Sequence, residues 1–379
     1  MKKFGILILF IISFACKETH SSKKENGQDL GKAMAIENAT GFSITKFNSY
    51  SVITVNSPWA NTKKKFIYVL AEKEANIPEN LDYDQEITIP VKKVVATSTT
   101  HIPAIEALDE IESLKGFPDL DFISSEKTRT LIKADKIKDV GNNENLNTEL
   151  LIDIQPDVVI GFSINATNKS LQKIQKAGIP VIYNGEWTEA TALGKAEWIK
   201  FFGALYNKNE EAKTIFDSIK TNYINAKKLA KTAKTKPTVF SGSMYKDQWY
   251  VPFGNSWQAN IFNDAHATYV WSETEGQGSL KLSFEKVLND AKNADFWVST
   301  GQFTSYNQLF NQSSHLNEFK AVKNRKVYSV SMSKGATGGI LFYELGPSRP
   351  DLILKDLIKI FHPKLLPDYT STFIKELDN

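Results

Sequence analysis

Cysteine is almost absent from this sequence. Cys16 is the single one in 379 residues, so no disulfide can form within the chain and no cysteine-based zinc site can exist. Five histidines lie scattered at 20, 101, 266, 315 and 362, which speaks against a multi-histidine metal centre. No apolar run reaches the roughly 20 residues that a membrane-spanning helix needs. The formal charge is only +3, which gives no electrostatic case for nucleic acid as a partner. Recognisable catalytic signatures are missing too. There is no H-E-x-x-H, Walker loop, G-x-G-x-x-G or Cys/His pair, and Gly161-Phe162-Ser163-Ile164-Asn165 lacks the last glycine of a nucleophile elbow. Asp119 and Asp121 read as solvated loop carboxylates. With 41% hydrophobic and 23% charged residues, the composition is globular and long enough for one large or two ordinary domains.

The N-terminus reads as an address. Met1-Lys2-Lys3 is basic, Phe4 to Phe14 is a short apolar run, and Ala15-Cys16 follows. This pattern predicts a signal peptide over 1–15. A small residue before a lone cysteine resembles a bacterial lipobox, with Cys16 as the lipidated residue, although Phe14 replaces a usual small one. An ordinary signal with an incidental cysteine is the alternative; the absence of any other cysteine favours the lipid. Residues 16–37, rich in Lys, Ser and Asn, read as a flexible lipidated tether.

Short β-type runs at Phe42–Phe47, Ser51–Val55 and Lys65–Leu70 predict an N-terminal β extension over 38–90. Strands and helices then alternate. Lys92–Ala96, Pro156–Phe162 and Pro180–Tyr183 read as buried strands; His101–Ile111, Thr148–Ile154 and Lys169–Ala177 read as helices. That order implies a mostly parallel sheet. From Gly194 to Lys231 the apolar spacing is helical throughout and predicts one rod of roughly 50 Å, with Asn207-Lys208-Asn209 as a point where it can bend. Alternation resumes to a C-terminal helix at Asp351–Ile360. The fold class expected is α/β: two α/β lobes, 91–193 and 232–379, with mostly parallel sheets joined by one long helix at 194–231, plus the β extension.

Two α/β lobes on one long helix, behind a lipoprotein-type signal, resemble the class III periplasmic binding proteins, the iron-chelate and cobalamin receptors of ABC importers. Local residues agree. Leu146-Asn147-Thr148-Glu149 before Ile154-Gln155-Pro156-Asp157-Val158-Val159-Ile160 is similar to a first-lobe segment of that family. Leu282-Ser283-Phe284-Glu285 before Ala294-Asp295 is similar to its second-lobe counterpart, and Arg349-Pro350-Asp351 … Phe361-His362-Pro363 fits the tail. The likeness covers roughly 90–379. It implies a monomeric substrate-binding lipoprotein of the periplasm or cell envelope. That receptor takes up a siderophore, haem or cobalamin without chemistry or cofactor and passes it to an ABC permease. It also implies that Glu149 and Glu285, one per lobe, dock on the permease, although a helix dipole favours a first-turn glutamate in any case.

Ligands of open α/β sheets lie beyond the carboxyl ends of the strands. The first such loop is Ser98-Thr99-Thr100-His101, where Thr99 and Thr100 offer polar groups at a helix start and His101 is either a ligand to a chelated metal or a solvated imidazole. Phe162-Ser163 and Glu186-Trp187 follow later strands. The aromatic stretch 244–257 supplies Tyr245, Trp249 and Trp257; Gly301-Gln302-Phe303, Tyr306, Lys334–Gly339 and Tyr343 complete the candidates. Aromatics at strand ends suit a broad, flat, partly apolar ligand. Arginine, at 129, 325 and 349 only, is scarce enough to point toward a neutral chelate such as a hydroxamate siderophore or a corrinoid, unless it reflects a general preference for lysine. Alternatives are a receptor for bare zinc or manganese, which needs three or four converging ligands, and a hydrolase with an unrecognised site.

Overall fold

The computed structural model describes residues 31–60, 62–165 and 168–379. The signal segment 1–15, Cys16 and the tether up to residue 30 therefore lie outside the described residues; residues 31–37, expected to belong to the flexible tether, are instead ordered by strand pairing at Lys32–Ala33, by packing of Met34 and Ile36 on the core, and by the Glu37 N–H bonded to Glu197.

The first five strands are β1 (Lys32–Ala33), β2 (Phe42–Lys46), β3 (Tyr50–Asn56), β4 (Lys65–Ala71) and β5 (Gln85–Thr88). They form one sheet in chain order, antiparallel except for β5, which runs parallel to β4. The period of two decides which side chains are shared. Ile44 pairs with Ile53 and Val55 with Phe66, and these residues, with Tyr68 and Leu70, enter the core of the first lobe. Val69 and Ala71 point the other way and form a small separate cluster with Tyr50. The Tyr183 N–H donates to the Tyr68 hydroxyl at 3.0 Å.

Two buried carboxylates bind the start of this sheet to the helices that follow the first lobe. Glu197 accepts the N–H groups of Glu37, Asn38 and Ala39 at 2.6–3.1 Å and pairs with Lys200 at 2.6 Å. Glu189 accepts the N–H groups of Thr40 and Gly41 and the Trp198 indole N–H. Burial by itself would raise the Glu197 carboxyl; Lys200 and the three N–H groups outweigh it and hold the carboxyl below its ordinary value.

The first lobe contains β6 (Val94–Ala96), α1 (Ile102–Ala107), β7 (Leu114–Phe117), α2 (Glu126–Lys133), β8 (Lys138–Asp139), a short hairpin of β9 (Gly141–Asn142) and β10 (Asn145–Leu146), α3 (Thr148–Ile154), β11 (Val158–Gly161), α4 (Lys169–Lys176) and β12 (Val181–Tyr183). Its sheet, in the order β12-β11-β6-β7-β8, is parallel throughout. β6, β11 and β12 are buried on both faces, as helix-covered parallel strands must be.

The segment 194–231 is not one rod. It is divided among α5 (Ala192–Glu197), α6 (Ile199–Leu205) and α7 (Asn209–Ala230). Asn207 takes the left-handed conformation (φ 56°), which ends the helix after Tyr206. α7 then packs back on α6. Gly203 permits this, because a Cβ there would stand 2.5 Å from the Cβ of Ala212. The bridge between the lobes is α7, 22 residues and about 33 Å long. Ala212, Phe216 and Ile219 join the first core, and Tyr223, Ala226 and Ala230 join the second. The helical spacing was legible; the reversal inside it depends on one backbone conformation that periodicity does not encode.

The second lobe comprises β13 (Thr238–Ser241), β14 (Ser243–Tyr245), β15 (Gln248–Pro252), α8 (Trp257–Asp264), β16 (Thr268–Tyr269), β17 (Ser279–Leu282), α9 (Phe284–Ala291), β18 (Phe296–Val298), α10 (Tyr306–Gln312), α11 (Lys320–Lys323), β19 (Val327–Ser329), α12 (Leu341–Leu345), α13 (Pro350–Phe361) and β20 (Lys375–Glu376). Its main sheet has the order β16-β13-β18-β19-β20, parallel but for β20. β14, β15 and β17 form a separate antiparallel sheet. The fold is thus mixed α/β with parallel sheets in both lobes and a long helix between them.

Candidate functional site

The carboxyl ends of the two main sheets meet at a cleft of about 510 Å³. From the first lobe, the loop after β6 supplies Thr97, Ser98 and Thr99. The end of β7 supplies Phe117, the loop after it Asp119 and Phe122, and Phe162 follows β11. From the second lobe come Gln302 after β18, Ser331 and Lys334 after β19, and Ile340 and Tyr343 at α12. The polar walls are held in place. The Asn143 side-chain amide donates to the Thr97 carbonyl at 3.0 Å, and the Thr97 hydroxyl accepts the Phe162 N–H at 2.8 Å. The Ser331 hydroxyl donates to the Gly301 carbonyl at 2.9 Å.

One end of the cleft is closed by the glycine-rich run from Lys334 to Gly339, which presses on the first lobe. The Thr337 hydroxyl donates to the Asp121 carbonyl at 2.8 Å. A Cβ on Gly339 would lie 2.4 Å from the Phe122 carbonyl oxygen, and one on Gly335 would lie 2.7 Å from the Ser124 Cα, so no larger residue fits this approach. Just beyond, Glu344 reaches across the lobes. Its carboxylate accepts the N–H groups of Ser124 at 2.6 Å and Ser125 at 2.9 Å, at the start of α2. Burial, which outweighs these two bonds and is reinforced by nearby Glu106, pushes the Glu344 carboxyl up to about 7.

The cleft is aromatic and nearly uncharged. Phe122 and Tyr343 are 63% and 54% exposed into it, while Asp119 and Lys334 are the charged residues among those that line it. Its lining holds no arginine.

Of the residues proposed from sequence, Thr99 and Tyr343 line this cleft. Thr100 faces a different cavity, behind the strand ends. His101 is 1% exposed, with its ring 5.8 Å from that of Phe202 on α6. Its place at the joint of a 3-10 turn and α1 carries the imidazole inward, and burial lowers its pKa to about 3. It is a neutral core residue, neither solvated nor able to reach a metal in the cleft.

Ser163 is also buried, its hydroxyl donating to the Asn165 carbonyl at 2.5 Å. Trp187 stands one layer behind the wall, edge-on to Phe162 at 6.0 Å, and its indole N–H donates to the Pro58 carbonyl at 3.2 Å. Trp249 is 1% exposed and packs among Phe240, Trp297 and Phe319. Strand alternation in β15 sends Trp249 and Val251 inward, so Trp249 builds core rather than cleft. Tyr306, at the first turn of α10, is buried beneath the Arg325 guanidinium, 4.2 Å from the ring centre. Trp257 stacks on Phe342, and Phe303 packs on the second core. Tyr245 is exposed at the β14–β15 hairpin, away from the cleft lining.

Glu149 and Glu285 occupy matching places. Each is exposed at the second position of a helix, α3 or α9, whose cap residue, Asn147 or Ser283, accepts an N–H three positions on. The Glu285 carboxyl is held below its ordinary value by its own backbone N–H and by the Ser283 hydroxyl.

A model of the family described as "Periplasmic binding protein" matches residues 94–332. The chain belongs to the periplasmic binding protein family. An uncharacterized lipoprotein of Methanocaldococcus jannaschii, MJ0878, is 30% identical over 318 residues, 80% of this chain and 73% of that one. Among solved structures, a periplasmic heme-binding protein from Pseudomonas aeruginosa superposes with a TM-score of 0.58 at 15% identity, covering 76% of this chain and 99% of the other. The siderophore-binding protein BauB, solved with two acinetobactin molecules and ferric iron, gives a TM-score of 0.56 at 15% identity, covering 82% and 99%. Membership of this family makes the chain a class III solute-binding protein rather than an enzyme, and what it binds is cargo rather than cofactor.

The cleft residues that sequence reasoning missed are mainly those at and after the end of β7: Phe117, Asp119 and Phe122. Their signal was weak, a four-residue strand Leu114–Phe117 interrupted by Lys115 and Gly116 and stopped by Pro118.

Proposed function

We propose that this binding protein captures an iron chelate, a ferric siderophore or haem, or else cobalamin, between its lobes and delivers it to an ABC permease. Glu149 and Glu285 act as the docking charges, and Cys16 carries the lipid that keeps the protein at the membrane of the cell envelope. The observation that carries this reading is the interlobe cleft: about 510 Å³, aromatic on both sides, with a single lysine and a single aspartate. A volume in this range suits a small organic ligand, and near-neutral walls favour a chelate with little net charge. That ranks a ferric hydroxamate first. Among the described residues no group of three His, Cys, Asp or Glu side chains is placed to hold a metal ion, which argues against a bare zinc or manganese cargo.

Trp187 provides the assay, because it lies against Phe162 of the cleft wall. Purified protein is titrated with a ferric hydroxamate, haem and cobalamin, following tryptophan fluorescence. Saturable one-to-one quenching by one of these, and none by zinc or manganese salts, is expected. Saturation by a bare ion, or by no chelate, overturns the assignment.

A further inference from the structure

The parallel strands of the second lobe begin at the end of that lobe opposite the cleft. β16, β13, β18 and β19 pair side by side, Thr238 with Thr268, Val239 with Phe296 and Trp297 with Val327. The four segments that lead into them therefore end in one row, about 15 Å wide. At the other end, Gln302, Ser331 and Lys334 follow the same strands into the cleft.

These lead-in segments are basic. The one before β13 carries Lys227, Lys228, Lys231, Lys234 and Lys236, and the one before β18 carries Lys292. The one before β19 carries Lys320, Lys323, Arg325 and Lys326. The Lys320 N–H donates to the Lys292 carbonyl at 2.7 Å, so two of the segments touch. Their acids are Asp264, before β16, and Asp295, and each already holds a lysine at 2.7 Å, Lys227 and Lys320. Asp290 and Glu318, just before two of the segments, face Lys286 and His315. The other eight cations are exposed and make no ion pair among the described residues. The small net charge of the chain conceals this end: between Asp217 and Asp247 there are seven lysines and no acid.

The chain enters the folded body close by. Lys200 donates to the Ala35 carbonyl at 2.8 Å, and Glu37 pairs with Lys220 of α7. Lys220 stands about 16 Å along that helix from the level of Lys231. Residues 16–30 extend to at most about 50 Å, so a lipid on Cys16 and the basic end can reach the same membrane surface. Lysines, as point charges on flexible stems, suit a fluid array of headgroup phosphates, whereas nucleic-acid readout favours the arginine fork.

We propose that this end of the second lobe binds the surface of an anionic bilayer, gripping headgroup phosphates and turning the cleft toward the medium. The contribution of the tether rests on the lipid assigned to Cys16; the basic end acts without it.

The test uses residues 17–379, which hold both cores and every described sheet but lack the apolar segment and Cys16. Vesicles of phosphatidylcholine and phosphatidylglycerol, two to one, should sediment this chain at least tenfold more tightly than pure phosphatidylcholine. Raising the salt from about 0.1 M to about 0.5 M should remove the difference. Each lysine at such a surface is worth about fivefold. Lys228→Gln, Lys231→Gln, Lys234→Gln and Lys236→Gln together should therefore weaken binding at least tenfold. The same charge removed from exposed lysines elsewhere, by Lys63→Gln, Lys73→Gln, Lys133→Gln and Lys173→Gln, should leave it within twofold. This chain has no cysteine, so single labels report the orientation. The dye NBD on Thr235→Cys should shift to the blue on the acidic vesicles, and on Gln302→Cys it should not. Equal binding to both vesicles, equal losses in the two quadruple variants, a shift at position 302, or tighter capture by duplex DNA than by vesicles at equal phosphate overturns the proposal. None of these readouts uses a chelate, a permease or the lipid on Cys16, so their outcome is separate from that of the cargo assignment.

Discussion

Glu344 offers a sharp test of how the lobes are held together. Its carboxyl crosses from α12 to the Ser124 and Ser125 N–H groups and is 3% exposed. Burial lifts its pKa from 4.5 to about 7. A carboxyl whose pKa is higher folded than unfolded keeps its proton longer in the native state. Its contribution to stability is therefore complete below the unfolded value of 4.5 and is lost as pH rises through about 7. Between pH 5 and pH 7.5 those two values correspond to a loss of about 2 kcal/mol. Glu344→Gln keeps the shape and one carbonyl acceptor but cannot titrate. Urea unfolding of both proteins at the two pH values isolates Glu344 and its coupling to Glu106, because titrating groups that do not interact with Glu344 cancel in the difference. The wild type should lose about 2 kcal/mol relative to the variant on going from pH 5 to pH 7.5. A difference between the two proteins that does not change with pH would refute the reasoning.

Reversing both of the charges proposed to dock, Glu149→Lys with Glu285→Lys, should abolish ABC-dependent uptake of the cargo while leaving its affinity for the purified protein unchanged; a parallel fall in affinity contradicts the proposed docking role. Trp249 and Tyr343 should separate core from cleft. Trp249→Ala should cost roughly 3–5 kcal/mol of stability, as emptying a packed aromatic core does, with cargo affinity of the folded fraction intact. Tyr343→Ala, half exposed, should change stability by no more than about 0.5 kcal/mol and weaken cargo binding severalfold. Calorimetry and the fluorescence titration read the two quantities, and the opposite pattern would exchange their assignments.

Much of this architecture is legible in the chain. The apolar runs at Val94–Ala96, Val158–Gly161 and Val181–Tyr183, each followed by a helical pattern, specify a parallel sheet because only helix-covered strands are apolar on both faces. The acid-bearing first turns at Glu149 and Glu285, each after a capping residue, are equally local. So are the loops that follow strands, and hence Thr99, Phe162 and the Lys334–Gly339 run at the cleft. The direction a side chain takes from such a loop is not local. His101 and Thr99 differ by two residues, yet one turn of 3-10 helix sends one into the core and leaves the other at the cleft. Trp249 reads as a binding aromatic until β15 is paired on both sides and its alternation is fixed.

The sequence by itself determined the alternation of strands and helices, the two lobes and the near-neutral character of the chain, because these follow from short-range periodicity and composition. Only the tertiary structure decided where the bridge begins, which aromatics face the cleft and that lysines of separate segments share one end of the second sheet. Those features arise where segments apart in the chain meet: Gly203 against Ala212 across a helix reversal, Gly339 against Phe122 across the lobes, and Lys320 against Lys292 at the strand starts.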